Sequence, residues 1–109
     1  MRRAAKVDDN QSKIVKAFRR MGWSVAPTHQ LGKGFPDIVI GKSGVNLLIE
    51  IKDGDKVPSK RKLTPDEEEF HAKWRGQIAI VESIDDVIAL DKKQNQKLGF
   101  DAEIKFPEK

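Results

Sequence analysis

The sequence contains no cysteine and no tyrosine, has only two histidines, and carries aromatic residues at just 6%. Without cysteine there is no disulfide framework, no thiolate nucleophile and no zinc knuckle, and a reducing compartment is the matching setting. Any metal must then be held by oxygen or by histidine. His29 and His71 each lack a second histidine at i+3 or i+4, which weakens the histidine option. No apolar run is long enough to span a bilayer. Met1-Arg2-Arg3 opens like the basic start of a signal peptide, but residues 4–9 supply no hydrophobic stretch behind it. The expectation is an intracellular, cytoplasmic, soluble protein with no membrane partner and no small-molecule substrate. Internal repeats and low-complexity linkers are also missing.

What is present is charge. Over 109 residues, Lys and Arg total 21 against 17 Asp and Glu, for a net charge of +4. That balance favours a polyanionic partner, although many basic soluble proteins bind no nucleic acid. An apolar content of 38% in a chain of this length supports one modest core and no second folded domain.

Ile14, Val15, Phe18 and Met21 recur at helical spacing, with Asp8 or Asp9 available as N-cap and Gly22 as terminator, predicting a helix from about Asp9 to Met21. Three short strands are expected next, over residues 23–28, 36–41 and 46–52, the last two joined by a turn at Ser43-Gly44. Thr64-Pro65-Asp66-Glu67 combines an N-cap, a proline at N1 and a capping-box glutamate, so a second helix runs to about Arg75, where Gly76 stops it. A fourth strand over residues 77–81 and a third helix capped by Ser83 complete an α-β-β-β-α-β order. The domain is placed at residues 8–90, after a basic segment 1–7. In the tail, 91–109, Phe100, Ala102, Ile104 and Phe106 alternate with charged residues, which predicts an extra edge strand or a dimer arm, unless the tail frays and the pattern is accidental.

The chemistry is concentrated in the third strand. Leu47, Ile49 and Ile51 fall on one face, and Leu48, Glu50 and Lys52 on the other. Counting outward from Ser43-Gly44 along both arms of the hairpin brings Asp37 directly opposite Glu50. Cβ atoms of such a pair lie roughly 4.5–5.5 Å apart, and like charges there repel. The arrangement becomes useful if a divalent cation lies between the carboxylates, because hard ions such as Mg²⁺ take oxygen ligands. Lys52, on the same face, would then orient an attacking water or help to deprotonate it, chemistry that suits phosphodiester hydrolysis. The alternative is structural: Asp37 caps a turn after Pro36, and Glu50 and Lys52 form a surface pair on an edge strand.

The segments Gly34-Phe35-Pro36-Asp37-Ile38-Val39-Ile40-Gly41 and Leu48-Ile49-Glu50-Ile51-Lys52 resemble the signature of the PD-(D/E)XK nuclease superfamily. Together with Gly22-Trp23, Lys33-Gly34, Asp53-Gly54 and Leu63-Thr64-Pro65, they resemble its virus-type replication-repair nuclease (VRR-NUC) family over roughly residues 8–90. The resemblance implies a restriction-endonuclease-like α/β fold with a mixed four-stranded sheet flanked by helices. It also implies Mg²⁺ or Mn²⁺ held by Asp37, Glu50 and the main-chain carbonyl of Ile51, with Lys52 completing the motif and a 5′-phosphate product. Stand-alone, phage-type members resemble Holliday-junction resolvases, homodimers that act on branched DNA, whereas members embedded in larger repair proteins act on flaps. Two departures stand out. Many relatives carry a glutamate near the metal in the first helix, where this chain offers Gln11, and a glutamine where this chain has Glu67.

Lys56, Lys60, Arg61 and Lys62 crowd the loop after the catalytic strand and are expected to receive phosphates, with a weaker claim for Lys33. Trp23, Phe70 and Trp74 are assigned to the core, the last two by their i,i+4 spacing. Both histidines are taken as structural or exposed. A non-catalytic DNA-binding module and a flap- or RNA-directed nuclease are the competing functions. Without tyrosine a GIY-YIG site is excluded, and two scattered histidines argue against a ββα-metal site.

Overall fold

The computed structural model describes residues 9–105, with side chains for 10–96. Helix α1 (Asp9–Arg20) is followed by strands β1 (Ser24–Pro27), β2 (Ile38–Lys42) and β3 (Val45–Ile51), helix α2 (Pro65–Lys73), strand β4 (Ile78–Val81) and helix α3 (Ile84–Lys105). The strands form one sheet in the order β1-β2-β3-β4. The first three are antiparallel neighbours, and β4 joins β3 in parallel, the orientation that requires a crossover such as the segment carrying α2. The result is the mixed four-stranded sheet with helices that the family resemblance implies.

Local chemistry explains most boundaries. Gly22, at φ 93°, ends α1 in a Schellman motif: its N–H donates to Arg19 O, and the Trp23 N–H donates to Phe18 O. Ser43 and Gly44 both have positive φ, the two-residue turn whose twist suits a hairpin, and the register pairs Lys42 with Val45 and Ile38 with Ile49. Thr64 and Glu67 form the expected capping box, with Pro65 at the start of α2. The N-cap candidate Asp8, the basic segment 1–7 and Phe106 lie outside the described residues.

The core lies between α1 and the sheet. Ile14, Ala17 and Phe18 meet Ile38, Ile40, Leu47, Ile49 and Ile51, and Trp23, Val81 and Val87 close the cluster. On β2 the core residues alternate with a half-buried Val39, whereas on β3 both faces are covered from Leu47 to Ile51. Burying a side chain such as Phe18 contributes about 1.5–3 kcal/mol.

Three sequence expectations are corrected. First, residues 91–105 continue α3 and form no edge strand. The alternation at Phe100, Ala102 and Ile104 is local, whereas Asp91 to Leu98 contains no proline or turn signal to stop a helix already under way. Gly99 alone costs only about 1 kcal/mol in a helix. The domain boundary at 90 also fails, because Asp91 accepts from Trp23 Nε1 (2.8 Å) and Lys42 Nζ (3.0 Å), and Gln94 is buried. Second, Phe70 and Trp74 lie outside the core. Phe70 packs edge-on against Phe35 and stacks on Trp74, and no residue of α2 is buried. Third, α2 ends before Gly76: Trp74 is already extended (φ −71°, ψ 129°). Among the described residues, no helix is long and apolar enough to cross a membrane.

Candidate active site

The end of β3 carries the site. Glu50 is only 2% exposed and has Ile80 of β4 as its parallel neighbour. On its other side, continuing the β2–β3 register one step past Ile38↔Ile49 reaches Asp37, the opposition that the turn at Ser43-Gly44 implies. Asp37 is fixed by its surroundings. Its Oδ2 accepts from the Ile51 N–H at 2.7 Å, and its carbonyl accepts from the Thr28 N–H at 2.8 Å. Thr28 Oγ1 donates to Pro36 O in turn. Oε1 of Glu50 is buried and has no hydrogen-bond partner, an arrangement that normally costs free energy and is rare in folded proteins.

Lys52 is held at both ends. Its N–H donates to Val81 O, and its carbonyl accepts from Asn10 Nδ2 at 2.7 Å. Its Nζ lies 2.8 Å from Glu67 Oε1 and 3.6 Å from Glu50 Oε2. Glu67 Oε1 also accepts from the Thr64 N–H, so one side chain serves both the helix cap and the lysine. Glu67 and Asn10 are the residues that sequence reasoning undervalued. The capping box accounted for Glu67 locally, and nothing in the sequence brings Asn10 to a residue forty-two positions away.

These groups line a cleft of about 180 Å³, together with Gln11 from α1, His29, Lys56 and Lys60. Gln11 therefore lines the same cleft as the two carboxylates. His29 faces the cleft as well and leaves Nδ1 unpartnered. The basic loop divides: Lys56 and Lys60 reach the cleft, but Arg61 is engaged within the fold, donating through Nε to Lys56 O (2.7 Å) and pairing with Glu82 (3.0 Å). Lys62 is exposed and not part of the cleft. Lys33 lines a different hollow, beside Phe70 and Trp74. Larger hollows of about 450 and 480 Å³ exist, but their carboxylates, Asp66 with Glu69 and Glu82 with Asp86, are not buried as Glu50 is.

The electrostatics follow from this crowding. Burial, then the charges of Asp37 and Glu67, push the Glu50 carboxyl from 4.5 to about 9. Asp37 is also raised, by burial first, with the Ile51 N–H opposing the shift. For Lys52, burial acts to lower the pKa, but the hydrogen bond and charge of Glu67, followed by Glu50, outweigh it, and the net shift is upward. Glu67 is lowered overall, because Lys52 and the Thr64 N–H outweigh its burial. Lys52 is thus held as an ammonium, which favours orienting a water or a phosphoryl oxygen over removing a proton.

By sequence, the chain matches no family model and no curated protein. By structure, a solved chain described as a VRR_NUC domain superposes with a TM-score of 0.58 at 22% identity, covering 76% of this chain and 95% of that one. The fold is similar to a VRR_NUC domain. Within this VRR_NUC-like fold, the donors fit a hard divalent ion: two opposed carboxylates and the adjacent Ile51 carbonyl offer only oxygen, and Glu50 Oε1 lacks any other partner. His29, Asp53 and Glu67 also line the cleft, but among the described residues no three such side chains are placed to hold an ion by themselves.

Proposed function

We propose that this chain is a divalent-metal-dependent nuclease that hydrolyses phosphodiester bonds of branched DNA, leaving a 5′-phosphate, with the four-way junction as its sharpest substrate. The observation that carries the reading is the buried, unpartnered Glu50 oxygen opposite Asp37. Stability alone gives no reason for placing two carboxylates there.

Asp37, Glu50 and the Ile51 carbonyl would hold Mg²⁺ or Mn²⁺. Bound there, the ion acts as a Lewis acid on the scissile phosphoryl group and makes water a better nucleophile. Asp37 is pre-oriented by the Ile51 N–H, which removes a rotational freedom before substrate arrives. Lys52 uses one of its three donors on Glu67 and keeps others for a phosphoryl oxygen or the attacking water. Lys56 and Lys60 offer cations to the phosphates on either side of the cut. Gln11 can donate or accept, but it lacks the charge of a carboxylate ligand. A homodimer follows from the substrate, since one site per subunit cannot cut two strands symmetrically.

The test is cleavage of four-way junction, flap and blunt duplex DNA with Mg²⁺, with chelator, and by Asp37→Ala. Metal-dependent cutting that is lost in the variant supports the reading. Equal nicking by both proteins would falsify the site, and DNA binding without any cutting would indicate a binding module.

Glu67→Gln separates the two duties of that residue. The amide still accepts from the Thr64 N–H, so α2 is retained, but the charge holding up the Lys52 pKa is gone. The alkaline limb of the pH–rate profile should move to lower pH with little change in melting temperature. An unmoved limb would mean that the Lys52 ammonium is not required.

A further inference from the structure

Beside the cleft lies an aromatic ledge that the reaction leaves unused. Phe35 meets Phe70 edge-on at 5.1 Å, and Phe70 stacks on Trp74 at 5.3 Å with an interplanar angle of 15°. Trp74 is 42% exposed, and the ledge borders a hollow of about 450 Å³ rimmed by Lys33, Lys73, Asp66 and Glu69. We propose that this ledge stacks an unpaired base of the nucleic-acid substrate, adjacent to the scissile phosphate.

Four observations carry the proposal, which rests on the nuclease reading for its choice of substrate. First, both segments that carry the ledge also supply the cleft. Phe35 is two residues before Asp37, and Phe70 is one helical turn after Glu67, the partner of Lys52. Second, the Trp74 ring lies close against Gly76: a Cβ there would lie 2.8 Å from Trp74 Nε1. The glycine thus makes room for the indole, having no part in ending α2. Third, the rim is charge-balanced. Two lysines and two carboxylates line it, and Lys73 is already paired with Glu69 at 2.8 Å. Such a lining is wrong for a bare phosphate and right for a base, which offers a π face to the rings and amino groups to the carboxylates. Fourth, Lys33 has no ion-pair partner among the described residues and can receive the backbone phosphate of the stacked nucleotide. A paired duplex keeps its base faces covered, so the ledge selects strands with unpaired positions, such as those at branches and flaps.

The experiment measures binding of a short fluorescent single strand, in matched deoxy and ribo forms, and of a blunt duplex, all in chelator so that no cleavage intervenes. Base–aromatic stacking corresponds to a loss of about 5- to 150-fold on truncation. Trp74→Leu should therefore lose about that much affinity for the single strand while duplex affinity changes less than twofold, and Trp74→Phe should retain most of it. Gly76→Ala, which displaces the indole without removing it, should show a smaller loss in the same direction. The sugar of the better-bound strand identifies the polymer. Single-strand affinity unchanged in Trp74→Leu, equal losses on duplex and single strand, or no single-strand binding by the wild type would each overturn the proposal. The outcomes are separable from those of the cleavage assay: stacking at Trp74 without metal-dependent cutting would sink the nuclease reading and leave the ledge, and the converse would do the reverse.

Discussion

Glu50→Gln is expected to raise the melting temperature of the metal-free protein at neutral pH while abolishing cleavage. The unfolded chain ionises Glu50 near 4.5, but the folded chain holds it protonated up to about 9, by burial first and then by the charges of Asp37 and Glu67. Folding at neutral pH must therefore neutralise a carboxylate that water would keep charged. For a group raised in this way, the contribution to stability is full below pH 4.5 and is lost as pH climbs through about 9. Glutamine has no such dependence. The gain at neutral pH should be on the order of 1–3 kcal/mol, because each pH unit between the unfolded and folded ionisation of Glu50 corresponds to about 1.4 kcal/mol, or roughly 4–8 °C for each kcal/mol in a domain of this size. It should vanish near pH 4.5 and grow towards pH 9.

Divalent metal should reverse the ranking. Metal uptake needs the ionised carboxylate, so the apparent affinity of the wild type for Mg²⁺ should rise with pH across the neutral range, with proton release. Mg²⁺ should then raise the wild-type melting temperature and leave that of Glu50→Gln unchanged. Thermal melts at several pH values, with Mg²⁺ and with chelator, read both effects. A variant less stable than wild type in chelator at pH 8 would refute the claim that Glu50 is retained against stability.

Gly34→Ala is expected to damage the site although Gly34 does not itself line the cleft. Gly34 has φ 81°, where an alanine costs about 1–3 kcal/mol in backbone strain. Its added Cβ would also press on the Asp66 carbonyl and lie 2.9 Å from Glu67 N. Those are backbone atoms in the first turn of α2, and they cannot swing aside. The helix has no buried residue of its own to resist displacement, so it should shift, and the Lys52–Glu67 pair should loosen with it. Cleavage should fall about 10- to 100-fold, the scale seen when groups that orient catalytic ligands are lost. Gly32→Ala is the control: it has φ 72° and nothing within 4 Å of its added Cβ. Equal losses in the two variants would assign the effect to strain alone and remove the argument for close contact with α2.

Much of this was legible in the sequence because it is local. The turn at Ser43-Gly44 and the alternation of Leu47, Ile49 and Ile51 together specify the β2–β3 register, since a slip of one residue would turn the apolar face outward. The capping box at Thr64–Glu67 and the stop at Gly22 depend on neighbours a few residues away. The errors share a cause. The i,i+4 spacing of Phe70 and Trp74 shows that they share a helix face, but not whether that face meets a core. Lys60, Arg61 and Lys62 are adjacent cations, and only the position of Glu82 decides that Arg61 turns inward. The two-residue period around Phe100 was a true local signal, overruled because a helix once started propagates through residues that do not break it.

By itself, then, the sequence determined the element order, the hairpin register, and hence the opposition of Asp37 and Glu50 with Lys52 on the same strand. Only the tertiary structure decided that Glu67 holds the Lys52 ammonium, that Asn10 anchors the Lys52 carbonyl, that Lys56 and Lys60 reach the cleft while Arg61 does not, and that three aromatic rings form a ledge beside it. The physical reason is range. Backbone pairing and capping are chosen by side chains within a turn or a pleat, whereas these contacts join distant segments whose approach depends on how the whole core closes.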